Sequence, residues 1–138
     1  MSGKQKLNDL EVVDLINSYI ERYTELFSIT EGTAHAHPDK NFWAYEKFAY
    51  LAKHEPDLAF ALVLSTLAAT QREEVLDNLA AGPLEDLIRV HGERFIERIE
   101  VQAHKDRRFR NLLGGVWKVG SADVWSRIEK LQHEEDPE

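Results

Sequence analysis

The stretch Leu58-Ala59-Phe60-Ala61-Leu62-Val63-Leu64-Ser65-Thr66-Leu67-Ala68-Ala69 decides the fold class. It carries no charge and places apolar side chains on every side of a 3.6-residue wheel. A helix that is apolar all round belongs in the middle of a protein, and this one is too short for a bilayer, which needs about 20 residues. The expectation is a central rod over Leu58–Ala69, wrapped by shorter amphipathic helices. Pro56, just ahead of it, suits a first helical turn.

Working outward, the amino-terminal helix has the clearest start. Asn8 is a cap, Glu11 stands at the third position, and Leu7 and Val12 are placed to staple across the cap. Val13, Ile16, Tyr19, Ile20, Tyr23, Leu26 and Phe27 follow as an apolar stripe. Residues 30–41 interrupt the pattern with Gly32, His35, His37 and Pro38, a long irregular stretch of the kind that often carries function. A second helix near Asn41 brings Phe42, Trp43, Tyr45, Phe48, Ala49 and Ala52, the densest aromatic segment in the chain.

Beyond the rod, Thr70 and Glu73 have capping-box spacing for a helix bearing Val75, Leu76, Leu79 and Ala80. Gly82 is expected to end that helix at a corner, and Pro83 to open another with Leu84, Leu87 and Ile88 inward. His91-Gly92 reads as the close of that one. A sixth helix over about Glu93–His104, a short seventh capped by Asp106 and stopped at Gly114-Gly115, and an eighth capped by Ser121 complete the chain. No segment alternates with period two for long enough to demand a strand. The predicted fold is all-α: about eight helices in one domain over residues 1–138, as a compact bundle or a short irregular solenoid of helix pairs, with residues 133–138 a frayed acidic tail.

Composition narrows the function classes. The chain has 138 residues, is 43% hydrophobic and 30% charged, and lacks cysteine, so disulfides, thiolate metal sites and thiol nucleophiles drop out. With no apolar leader at Met1–Lys6 and no membrane-length run, a cytoplasmic location is expected. A net charge of −8 opposes binding to nucleic acid, which needs clustered lysine and arginine. The charge is uneven: residues 71–100 hold eight acids against four bases, whereas 105–118 hold Lys105, Arg107, Arg108, Arg110 and Lys118 against Asp106 alone. Pairing within the molecule or solvation is the expected fate of that basic island.

Histidine and carboxylate groupings carry little chemistry. His35 and His37 with Asp39 do not close a metal site. Glu97, Glu100 and His104 share one helical face, but Arg94, Arg98 and Lys105 crowd it, which points to salt bridges. Glu85 and Arg89 are spaced for an i,i+4 pair, and Asp86 for the dipole of a helix opening at Pro83. His91 is turned away from both carboxylates. No nucleophile elbow, phosphate-binding glycine loop or zinc-protease motif occurs, so no catalytic residue, metal or cofactor is assigned. Among the tryptophans, Trp125 lies in phase with Val124, Ile128 and Leu131 and reads as core, whereas Trp117, after the glycine pair and beside the basic island, is the one placed for exposure.

Three segments carry a resemblance. Leu79-Ala80-Ala81-Gly82-Pro83-Leu84-Glu85-Asp86-Leu87-Ile88 with His91-Gly92, Phe109-Arg110-Asn111-Leu112-Leu113-Gly114-Gly115-Val116-Trp117, and Trp43-Ala44-Tyr45-Glu46 together resemble a family of small bacterial helical proteins of unknown function. The resemblance spans about residues 42–128, leaves the first helix and the long loop outside, and implies no reaction. Gly114-Gly115 reads as a close approach of chains.

The function expected is a non-catalytic protein-binding module, and in its specific form an immunity protein that neutralises a bacterial toxin through an acidic face. The docking residues expected are Glu73, Glu74, Asp77, Glu85, Asp86, Glu93 and Glu97, with the loop around His35 and His37 as the second choice. The rivals are a metal-dependent enzyme or regulator built on the histidine and glutamate groups, and a self-associating helical scaffold.

Overall fold

Asn8 starts the first helix by a reciprocal exchange. Its Oδ1 accepts the Glu11 N–H at 2.8 Å, and Glu11 Oε1 accepts the Asn8 N–H at 3.2 Å. The computed structural model describes residues 7–31 and 40–134, with side chains given for 7–24 and 40–134. The helix runs over Asp9–Glu31 (α1). Leu7 and Val12 both pack against the core, the two positions of a staple. The buried stripe is Leu15, Ile16, Tyr19 and Tyr23, whereas Val13 is exposed. It is rotated from the expected one because Leu15, not Val13, shares a face with Tyr19. Leu26 and Phe27, the long loop with His35 and His37, and the tail after Glu134 lie outside the described side chains.

Six further α-helices follow: α2 (Phe42–His54), α3 (Pro56–Ala69), α4 (Glu73–Leu79), α5 (Glu85–Lys105), α6 (Arg107–Leu113) and α7 (Ala122–Gln132). The described residues contain no strand. Among the described residues seven α-helices stand where about eight were expected, with α5 made of two helical stretches that meet at a kink. Gly82 does not end a helix. Residues Ala80–Leu84 form a π turn that carries α4 directly into α5. Pro83 has no N–H, and its ring would collide with the carbonyl four residues back in a regular helix. Widening the turn relieves both problems, and Glu85 N–H reaches Ala80 O, five residues earlier. The expected break at His91-Gly92 is a kink within α5, where His91 adopts φ −125°, ψ 15°.

Caps are right at the two last helices and wrong at α4. Asp106 accepts the Phe109 N–H at 3.2 Å, and Ser121 Oγ the Val124 N–H at 3.2 Å. The N-cap of α4 is Arg72, and its side chain makes no cap bond. Thr70 Oγ1 instead accepts the Arg72 N–H at 3.1 Å, a local turn ahead of the helix.

α3 sits inside the bundle, packed against α1, α2, α5 and α6. α5 packs against α2, α3, α6 and α7, while α1 lies across α2, α3 and α4, so the helices form a bundle rather than a run of stacked pairs. α3 buries Ala59, Phe60, Leu62, Val63, Thr66 and Leu67 but leaves Ala61, Ser65, Ala68 and Ala69 exposed. Alanine counts as apolar on a wheel, yet exposing its single methyl costs little. Phe60 is the hinge of the core. Its ring centroid lies 5.9 Å from Phe95 and 5.8 Å from Phe109, joining α3, α5 and α6. Burying one such side chain contributes roughly 1.5–3 kcal/mol, and a well-placed aromatic pair about 0.5–1.5 kcal/mol more.

No helix among the described residues is long and apolar enough to cross a membrane.

Candidate functional site

The segment between α6 and α7 is pinned from three sides. Val116 is buried in the core. Gln132 Nε2, from the end of α7, donates to Leu113 O at 2.8 Å and Val116 O at 3.1 Å. From the start of α5, Glu85 Oε1 accepts the Trp117 N–H at 3.0 Å. Gly115 packs so tightly on the π turn that a Cβ there would meet the Ala80 Cβ at 3.0 Å. Main chain held this way projects Trp117 with 78% of its surface exposed. Trp125, by contrast, is half-buried against the core. Both tryptophans therefore stand as the sequence suggested.

Beside Gly115 a groove opens between α4 and α6, with a cavity volume of about 320 Å³. Leu67, Leu76 and Leu112 supply its apolar lining, Glu73 and Asp77 one wall, Arg108 the other. Glu73 and Asp77 are four residues apart and so lie on the same side of α4. Arg108 is anchored by donating from Nη2 to Thr70 O at 2.8 Å.

The acidic residues expected at a docking face divide. Glu73 and Asp77 come together in the groove. Glu74 binds Arg72 at 2.8 Å, and its own backbone N–H, then Arg72, hold its carboxyl below the usual range. Glu85 is engaged by Trp117, not by Arg89 as its spacing suggested. Arg89 bonds Asp86 instead, and the continuous helix removes the free amino-terminal end that Asp86 was expected to complement. Glu93 lines a separate hollow at the α5 kink with Arg94, Gly120 and Ser121. Glu97 lies near enough to Arg127 to help raise its pKa, after the larger effect of Glu100.

The basic island is partly structural. Arg110 is buried, and its Nη1 donates to Ala103 O at 3.2 Å near the carboxyl end of α5. A guanidinium there satisfies an end carbonyl and complements the helix dipole. Nothing along the chain signals this, because a lone arginine in a basic run looks like surface.

The histidine groupings resolve into ordinary contacts. Glu100 bonds Arg127, with the Arg127 Nε at 2.9 Å. His104 Nε2 lies 3.3 Å from Glu134. His91 stands where the first helical stretch of α5 ends at the kink, and its Nε2, 2.7 Å from Lys53 O, ties that kink to the end of α2. Among the described residues no three histidine, aspartate or glutamate side chains form a group able to hold a metal. α2 turns Phe42, Trp43, Tyr45 and Tyr50 outward. The Arg22 guanidinium sits 5.5 Å from the Phe42 ring and 4.9 Å from Tyr45, a cation–π clasp of α1 on α2.

The π turn, the glycine pair and Trp117 thus form one packed unit, built from two of the segments that carry the family resemblance. The model of a family of unknown function, DUF6869, matches residues 31–136. The chain belongs to DUF6869. The match begins well before residue 42, so the long loop lies inside the DUF6869 region rather than outside it. No curated protein and no solved structure matches the chain.

Proposed function

We propose that this chain is a non-catalytic, cytoplasmic protein-binding module that docks through the surface around Trp117. One observation carries the reading: a tryptophan 78% exposed on main chain that Gln132 and Glu85 hold in place. An exposed indole on a loose loop would lose much of its contact energy to ordering. Here the loop is ordered before any partner arrives, which is how preorganisation raises affinity. Tryptophan is also the side chain most enriched at binding hot spots. In its specific form the partner is a bacterial toxin domain with a basic surface, and this chain is its immunity protein. The net charge of −8 and the carboxylates of Glu73 and Asp77, in a groove that reaches Gly115 two residues before the tryptophan, support that form.

The test is co-expression with the product of the adjacent gene, followed by affinity measurement on the purified pair. A complex is expected that Trp117→Ala weakens at least tenfold, with protection of growth lost in parallel. No complex, or one indifferent to Trp117, sinks the reading. So does stoichiometric zinc or iron in the purified protein together with a metal-dependent turnover.

A further inference from the structure

The groove between α4 and α6 has a charge pattern that selects its occupant. Its apolar lining comes from Leu67, Leu76 and Leu112. On the α4 wall Glu73 and Asp77 have no ion-pair partner among the described residues, whereas the neighbouring Glu74 is held by Arg72. On the α6 wall Arg108 spends one N–H on Thr70 O, and a guanidinium has five. A volume of about 320 Å³ is at the low end for a small-molecule pocket. It accommodates a few side chains of a peptide segment.

We infer that this groove binds an amphipathic segment of a protein partner, one that sets a leucine-like side chain on the floor and a lysine or arginine against α4. The inference rests on the docking reading above and deepens it by naming the chemistry of the partner's contact. Two carboxylates one helical turn apart attract and orient a single cation. Because they border an apolar floor, a partner with basic residues alone gains only screened surface attraction. Burying an apolar anchor on that floor stabilises the complex more. Arg108 on the opposite wall repels a second cation and donates to a carbonyl or carboxylate. A uniformly basic strand is therefore disfavoured against a mixed one, and the direction in which the segment lies is set.

A 12-residue peptide alternating pairs of leucine and lysine in helical phase is the probe, with the same peptide carrying glutamate for lysine as its control. Titrated into the full chain labelled with ¹⁵N, the lysine peptide is expected to shift the amides of α4 and α6 and the Trp117 indole, and the glutamate peptide to leave them unmoved. The exposed pair Glu73→Gln and Asp77→Asn, shown to be folded by circular dichroism, is expected to weaken the lysine peptide at least fivefold. Shifts centred elsewhere, equal binding of both peptides, or no loss in the double variant would each overturn the inference. If Trp117→Ala abolishes binding of the whole partner while the peptide ignores the groove, the docking module stands and the groove assignment alone falls.

Discussion

Gly92 on α5 and Val124 on α7 meet so closely that a Cβ on Gly92 would lie 2.9 Å from Val124 Cγ1. Val124 is buried and β-branched, so the methyl has no soft direction in which to yield. Gly92→Ala should destabilise the protein by about 1–3 kcal/mol through overpacking, despite the better helix propensity of alanine. Val124→Ala in the same chain should recover part of the loss. A double-mutant cycle by urea unfolding measures the coupling, and strict additivity would mean that the two residues do not conflict.

Gly82 gives the opposite expectation. Among the described residues a Cβ there meets nothing within 4 Å, and its backbone φ is not positive. Gly82→Ala should be neutral or stabilise by about 0.4–1 kcal/mol, by restricting the unfolded chain. Gly120 has φ +82°, so Gly120→Ala should cost about 1–2 kcal/mol. Thermal melts of the two variants should move in opposite directions or, at the least, separate clearly.

Tyr19 is fully buried, and its hydroxyl makes no hydrogen bond of good geometry among the described residues. Burial, and then Tyr23, raise its pKa well above the ordinary 10.0. In the window above about pH 10 the unfolded chain loses this proton while the folded chain keeps it, so stability falls as pH rises. Tyr19→Phe should cost little at neutral pH, since it removes a polar group that makes no good hydrogen bond. Between the ordinary tyrosine pKa and the raised one, the variant should lose less stability than the parent. Denaturant midpoints at pH 7, 10 and 11 provide the comparison.

The Glu100–Arg127 pair acts at the acid end. The hydrogen bond from Arg127, chiefly, holds the Glu100 carboxyl below its usual range. Its contribution is therefore complete above the ordinary carboxylate pKa and disappears as pH falls through the lowered one. Glu100→Gln should be slightly less stable than the parent at pH 7 and equal to it near pH 2. The difference should be small, because both side chains are solvent-accessible and screened. A gap that persists unchanged in acid would assign the effect to something other than the ion pair.

Local signals in the sequence reached as far as local chemistry does. Asn8, Asp106 and Ser121 cap their helices because a side chain and an N–H two or three residues on decide the matter between them. Gly82-Pro83 misled because the cost of proline in a helix was absorbed by widening one turn, which a 3.6-residue wheel does not include. The break at His91-Gly92 was legible, but the reason for a glycine there was not, because it answers to Val124, a residue distant in sequence. The position of Trp117 was legible as an exposed one. What makes it a candidate site was not, because Glu85 is 32 residues away in sequence and Gln132 is 16 from Val116.

The π turn has a consequence for chain length. Deeply buried residues along this path step from Val75 to Leu79, Leu84 and Ile88, and the five-residue step from Leu79 to Leu84 spans the π turn. One surplus residue is thus stored as a bulge that keeps the inward sides of α4 and α5 in line. A chain lacking Pro83 alone would wind through this region as ordinary α-helix, with the same residues facing the same neighbours. Loss of one residue in the middle of a long helix normally turns everything beyond it by about 100°. Here it would leave the bundle's interior in register.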